Sequence, residues 1–318
     1  MYYTMCYDIM IGNYRLGMLD KVEIHRSVEL LADTATITLP AAEYNVALDV
    51  ESKITRGNMV SILLGYKETG LKEEFTGYLQ RISTDGGNLT LYCEDDLFLF
   101  RKDMPDEELK NVTVQDLLKK VCQTTGAASS VECTYQWTYS KFVIKAASGY
   151  DVLKKVQEES GADIYLKDGV LHVHPPGEVT GRNRKYDFSK NIEKEELTYR
   201  TARDKKLCIV VKANTPDGKV KEINVGTPGG EKVEVKAATS DEASMKQRGA
   251  AELKRRNYDG YEGSITTWLV PECVPGDTAT IHDADYPSKD GTYFVNAVTT
   301  EFSSSGGSRK VELGFRIS

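Results

Sequence analysis

The stretch VPGDTATIHDADYPSKDGTYFVNAV, residues 274–298, places His282 beside Asp283 and Asp285, with Asp290 a few positions further on. An imidazole among carboxylates is a donor set for a metal ion or for acid–base hydrolysis. Either chemistry needs an activated nucleophile, or an ordered metal with supporting groups behind its ligands. The chain carries no Gly-x-Ser-x-Gly, no His-Glu-x-x-His and no framed pair of carboxylates, and its 4 histidines leave few bases to recruit. A metal-dependent hydrolase using His282, Asp283 and Asp285 is therefore carried only as an alternative, against a turn between two strands.

Other chemistry-bearing residues give weaker signals. His172 and His174 share one strand face, which suits a metal, but no third ligand lies near them in sequence. The 6 cysteines (Cys6, Cys93, Cys122, Cys133, Cys208 and Cys273) are scattered, with no C-x-x-C pair and no histidine at ligand spacing. They read as buried free thiols of a reducing compartment rather than a disulfide or zinc framework. The run Lys254-Arg255-Arg256 reads as the solvated end of a helix in preference to a phosphate site. Tyr135, Trp137 and Tyr139, in YQWTY, are the best candidates for a stacking platform of a carbohydrate- or peptide-binding module, although aromatics in strands more often pack. No catalytic, cofactor or metal residue is assigned.

The elements that position these residues are mostly strands. With 318 residues and 40% hydrophobic content the chain supports real cores, and its net charge of −7 offers no general electrostatic grip on nucleic acid. Apolar runs fall far short of the roughly 20 residues that span a bilayer. The opening MYYTMCYDIM lacks a basic segment followed by an apolar one, so neither a signal peptide nor membrane insertion is expected.

Period-two alternation predicts strands at 34–40, where Ala35, Ile37 and Leu39 share a face, and at 59–66, 74–82 and 88–95, with a tight turn at 85–87. Two helices follow. Residues 112–126 have Thr113 as cap, Gly126 as terminator and a stripe of Val114, Leu117, Leu118, Val121 and Cys122. Residues 148–161 repeat that grammar with Ser148, Asp151, Val152, Leu153, Val156 and Gly161. Asp168-Gly169 then predicts a hairpin ended by Pro175-Pro176. Strands are expected at 206–214, 220–227 and 231–237, with a turn at 216–219 and a helix over 241–257 capped by Ser240. Strands and turns run from there to Ser318.

The two β regions echo each other. RGNMVSI (56–62), FTGYLQRIS (75–83), Gly86-Gly87 and NLTLYC match VPGDTATI (274–281), GTYFVNAVT (291–299), a turn at Gly306-Gly307 and RKVELGF (309–315) in order. Gly276-Asp277 then launches a strand as Gly57-Asn58 does, and the acidic loop after His282 corresponds to the charged loop at 65–74.

In ITLP, GNMVSILLGY and EFTGYLQRI, in VTVQDLLKKVCQTTG, in SGYDVLKKVQEESGADIYLKDGVLHV, and in VPGDTATI with GTYFVNAVTTEF, the chain resembles the baseplate hub proteins of contractile phage tails. These are the phage late-control D and Mu-like tail hub family, similar to the hub part of type VI secretion spike proteins. The order of the stretches, more than any one of them, carries the resemblance. It implies a mainly β fold with an α+β insertion: a first tube-type β-barrel at 1–103, an inserted α/β domain at 104–188, and a second barrel with one helix at 189–318. It also implies a homotrimer that adapts a sixfold tail tube to a threefold spike. Expected partners are tube, spike and other baseplate proteins, with no specific nucleic-acid binding. Expected location is the virion tail, after synthesis in the bacterial cytoplasm from a prophage. The family supplies no catalytic residues or cofactors. Because the chain ends at VELGFRIS, a separate spike protein is expected to attach.

Overall fold

The structure is a computed structural model that describes residues 3–40, 53–85, 88–201, 206–215, 217–287 and 290–318. Its first part is a β lobe: β1 (Met5–Ile11), β2 (Tyr14–Arg15), β3 (Lys21–Ser27), β4 (Thr34–Leu39), β5 (Met59–Tyr66), β6 (Gly70–Asp85) and β7 (Asn88–Glu94). Alternation drives it. Val22 and Ile24, Ala35, Ile37 and Leu39, Val60, Ile62 and Leu64, and Leu89, Leu91 and Cys93 are all buried in one core. Their polar neighbours in sequence face outward, because successive side chains of a strand point to opposite faces.

An α/β insertion comes next: β8 (Glu107–Thr113), α1 (Val114–Thr125), β9 (Ser130–Cys133), β10 (Thr138–Ile144), α2 (Gly149–Ser160), β11 (Asp163–Lys167) and β12 (Val170–His174). Both helices start and stop where the sequence predicts. Thr113 and Ser148 accept from the amides three residues on, Asp151 completes a capping box, and Gly126 and Gly161 end the helices at φ 68° and 73°. The apolar stripes of α1 and α2 pack into a core that also buries Tyr135, Trp137, Tyr139 and Phe142. Asp168 and Gly169, both at positive φ, make the tight turn between β11 and β12.

The chain then forms β13 (Asn183–Asp187), β14 (Lys194–Arg200), β15 (Leu207–Asn214), β16 (Val220–Gly226), β17 (Glu231–Lys236), α3 (Glu242–Arg256), β18 (Gly260–Trp268), β19 (Thr278–His282), β20 (Gly291–Ser303) and β21 (Gly306–Arg316). Strands β15–β17 make a separate three-stranded sheet covered by α3. Ile209, Val211, Ala213 and Met245 from this unit join the core of the α/β insertion. A distinct core of Tyr186, Ile265, Ala279, Ile281, Tyr293, Val295, Val298, Val311 and Leu313 belongs to the second β lobe. The fold is mainly β, with α+β material inserted between and within two related lobes.

Both lobes belong to one 13-stranded sheet of order β14-β18-β21-β20-β3-β4-β7-β6-β5-β1-β2, with β19 and β13 branching from β20. Among the described residues the ladder path is open at both ends, so neither lobe closes on itself by strand pairing.

Three local expectations are corrected. The cap of α3 is Asp241, whose carboxylate accepts from Ser244 N, and not Ser240; a charged acceptor at the positive helix end makes the stronger cap. Gly306 and Gly307 lie within β21, paired with Ser303 and Phe302, so the turn is two residues earlier, at 304–305. Residues 65–74 are not a loop: the β5–β6 ladder runs on through Leu64↔Lys72 to Tyr66↔Gly70. The turns expected at 85–87 and 216–219 fall partly outside the described residues, although Asp85 pairs with Asn88.

Candidate functional site

The order β3-β4-β7-β6-β5-β1 in the first lobe is repeated in the second as β14-β18-β21-β20-β19-β13, and the chain order of these strands is the same. One direction differs: β1 is antiparallel to β5, whereas β13 is parallel to β19. The launching turn matches atom for atom. Gly57 N donates to Leu79 O at 2.8 Å and Leu79 N to Asn58 O at 2.9 Å; Gly276 N donates to Val295 O and Val295 N to Asp277 O, both at 3.0 Å. Asn58 Oδ1 accepts from Thr55 N, and Asp277 Oδ2 accepts from Val274 N. Both glycines have positive φ, 88° and 84°, which disfavours any side chain there.

The long strands also bulge at the same place. The ladder shifts between Leu79 and Arg81 in β6 and between Val295 and Ala297 in β20, leaving Gln80 and Asn296 in equivalent positions. A bulge bends a strand and re-aims its edge. In β20 it separates two partners on one edge: residues 291–294 pair with β19, and residues 297–303 pair with β3 of the first lobe. That β20–β3 ladder is the seam that joins the lobes.

A buried charge pair sits beside the seam. Arg309 is 0% exposed and Glu74 3%. Arg309 Nη2 donates to Glu74 Oε1 at 2.8 Å and to Leu269 O at 3.0 Å, while Nη1 donates to Cys273 O at 3.2 Å. Arg26, from β3, donates to the Glu74 carbonyl. Leu269 and Phe302 of the second lobe are buried in the core of the first. Sequence reasoning did not single out Arg309 or Glu74. The available signal was parity, since Arg309 shares a strand face with Val311 and Leu313, where a solvated arginine has no place.

The acidic turn is put together differently from a metal centre. His282 ends β19, half exposed, with Nδ1 2.7 Å from Asp290 Oδ2. Asp290 Oδ1 accepts from Asp283 N. Asp283 Oδ1 caps the amides of Asp285 and Tyr286, and its Oδ2 accepts from the Tyr261 hydroxyl at 3.1 Å. The oxygens of Asp283 and Asp290 are thus occupied by the loop and by Tyr261, and Asp290 holds the His282 imidazole above its usual range. Among the described residues no group of three His, Cys, Asp or Glu side chains is arranged to hold a metal.

The other sequence candidates are dispersed. The His172 ring stacks on both Tyr165 and His174, the His174 ring is tilted 32° to Tyr165, and burial pushes the His172 imidazole down. His174 spends its nitrogens on Thr134 at 3.0 Å and Tyr165 at 3.2 Å. Tyr135, Trp137 and Tyr139 lie in the core, so YQWTY presents no stacking face to a ligand. All six cysteines are free thiols; Cys93, Cys122, Cys208 and Cys273 are buried, and burial pushes the Cys93 thiol up to about 12. Lys254, Arg255 and Arg256 close α3, with Arg255 paired to Glu29 at 2.6 Å and Arg256 to Glu252. Among the described residues no helix is long and apolar enough to cross a membrane.

No family model matches the chain, and no curated protein sequence matches it. Solved structures do. A tail protein from Neisseria meningitidis MC58 superposes with a TM-score of 0.66 at 16% identity over 98% of this chain and 97% of its own. The 43 kDa tail protein of prophage MuSo2 from Shewanella oneidensis gives 0.64 at 13% identity, covering 98% of each chain. An E. coli component of the type VI secretion system, described as similar to the T4 tail proteins gp27 and gp5, gives 0.58 at 9% identity over 98% of this chain and 77% of its own. At these identities the likeness is one of fold.

Proposed function

We propose that the chain is a structural, non-catalytic component of a contractile phage tail or tail-like injection machine, and that it acts there as the baseplate hub. In this role three copies form a ring whose lobes present near-equivalent surfaces to a sixfold tube on one side and a threefold spike on the other. The observation that carries the reading is the repeat of β3-β4-β7-β6-β5-β1 as β14-β18-β21-β20-β19-β13 within one chain. A duplicated lobe lets a trimer present six near-equivalent surfaces to a sixfold tube while keeping its own threefold symmetry for the spike. Tail and secretion-system proteins of the same fold support the assignment. Residues 1–103 and 189–318 are the ring-building segments, with 104–188 inserted between them and β15–α3 a further insertion in the second. The glycan- or peptide-binding alternative loses its platform with the burial of Trp137.

The test is solution mass by light scattering or native mass spectrometry, for the chain alone and with its tube and spike proteins. A trimer is expected in at least one of these mixtures. A chain that stays monomeric in all of them sinks the hub role.

A further inference from the structure

The turn between β3 and β4 joins the first lobe to the α/β insertion. Leu31 and Ala32 of this turn are buried with Leu97 and Phe100 in the core of the insertion, not in that of their own lobe. A short 3-10 helix, Asp96–Phe100, starts at Asp95, whose Oδ1 accepts from Leu97 N at 3.0 Å. Asp33 fastens the turn to that start: Asp33 N donates to Asp95 Oδ2 at 3.0 Å, and Asp95 N donates to Asp33 O at 3.0 Å. Asp33 Oδ1 accepts from Ser27 N at 3.3 Å, and Ser27 pairs with Ala297 across the seam, so the fastening reaches the joint between the lobes. We propose that Asp33 and Asp95 form a proton-controlled latch: it holds Leu31 and Ala32 in the insertion core while the pair keeps a proton, and releases them when both carboxylates are charged. The latch acts within one chain, whether or not copies assemble.

The surroundings of the pair are rich in acids. A cavity of about 660 Å³ opens beside it and gives both carboxyls a route to water. On β3, Arg26 Nε lies 3.6 Å from Asp33 Oδ2, and His25 acts on Asp33 in the same sense. Asp96 follows Asp95, and Glu73 comes from β6. Asp163 and Lys167 of β11 line the cavity with Glu178. Arg182, Arg184, Glu272 and Asp277 complete the lining, and Arg184 is spent on Asp277 at 2.9 Å. Two further ties hold the turn from behind: Gln157 Nε2 donates to Val28 O at 3.4 Å, and Arg255 pairs with Glu29 at 2.6 Å.

The protonation states follow from this setting. Withdrawal from bulk water holds the Asp95 carboxyl up and the nearby Asp33 charge adds to it, while the bonds from Asp33 N and Leu97 N pull the other way. Asp33 is held up by its surroundings too, against Arg26 and the bond from Ser27 N. Two carboxyls so coupled release their protons in two steps that belong to the pair. The folded values lie above the unfolded ones, so the latch is fully closed below the ordinary carboxyl range and opens as pH rises through the raised values. Once both are charged they repel each other, and the neighbouring acids add to the repulsion.

The experiment is hydrogen–deuterium exchange of the full chain, read by mass spectrometry at pH 5 and pH 9 and corrected for the intrinsic pH dependence of exchange. Peptides covering 28–33 and 96–100 are expected to lose protection by roughly tenfold or more at pH 9, while those of α1 keep theirs. Asp95→Asn retains an acceptor for Asp33 N and Leu97 N without the charge, and is expected to protect the turn equally at both values. Asp33→Asn is expected to do the same and replaces it if Asp95→Asn does not fold. Asp163→Asn, which removes an acid of the same cavity outside the pair, is expected to respond as the parent does. Equal protection of the turn in the parent at the two pH values, the same loss in both Asn variants of the pair, or a loss shared equally by α1 overturns the latch.

Discussion

Arg309 Nη2 lies 2.8 Å from Glu74 Oε1, and this pair ties the last strand of the second lobe to the longest strand of the first. Both side chains are withdrawn from water, and the guanidinium is also held by two backbone carbonyls. Truncating one partner of such a pair leaves the other charge buried and alone, which costs far more than the pair contributes. Arg309→Ala is expected to lose about 3–5 kcal/mol of unfolding free energy in urea. The double variant Arg309→Met, Glu74→Leu is expected to recover most of that loss. Equal losses in the single and double variants would show that the pair is not the link between the lobes.

The equivalent turns at Asn58 and Asp277 differ in their load. Asp277 is buried and accepts from Val274 N, Arg182 N and Arg184 Nε. Asn58 is half-exposed and its carbonyl oxygen serves Thr55. Asp277→Ala is expected to cost about 2–3 kcal/mol and Asn58→Ala about 1 kcal/mol, since only the first removes a buried, charged acceptor and leaves the Arg184 guanidinium without it. Thermal unfolding of the two variants side by side checks the order.

Burial pushes the Asp163 carboxyl up to about 7, against the bond from Gly177 N and the nearby Arg255, which both favour its ionised form. Its folded value is above its unfolded one, so the folded state holds the extra proton. The stability that Asp163 contributes is full below about 4 and is lost as pH rises through about 7. Asp163→Asn keeps an acceptor for Gly177 without the charge. It is expected to raise the melting temperature at pH 8 relative to the parent and to leave pH 4 nearly unchanged. A parallel shift at both values would remove Asp163 as the titrating group.

His282 and Asp290 make an exposed pair whose histidine is held up and whose carboxylate is held down. The histidine's share of stability is present below its ordinary value and fades as pH rises through the raised one; the aspartate's share is lost as pH falls through its lowered one. Proton NMR is expected to show a His282 titration above the ordinary histidine range that drops towards it in Asp290→Asn. EDTA is expected to leave the melting temperature unchanged. A metal that co-purifies and is lost with His282→Ala would return the turn to the metal-site reading.

The sequence by itself determined the elements whose causes are local. Thr113, Ser148, Gly126 and Gly161 bound α1 and α2 because capping groups act within a turn of the helix end. Ala35, Ile37 and Leu39 point inward because strand periodicity is a property of the backbone. The repeat was visible too, since Gly57-Asn58 and Gly276-Asp277 must adopt the same unusual turn. What only the tertiary structure decided depends on residues far apart in the chain. Asp283 accepts from Tyr261, 22 residues away, which turns an apparent ligand into a brace. Trp137 belongs to a core because helices and strands from elsewhere cover it. Arg309 meets Glu74 across 235 residues, and β20 pairs with β3 only once the lobes have taken their places in the sheet. Side-chain types in sequence say which groups want partners; only the packed chain brings those partners within hydrogen-bonding distance.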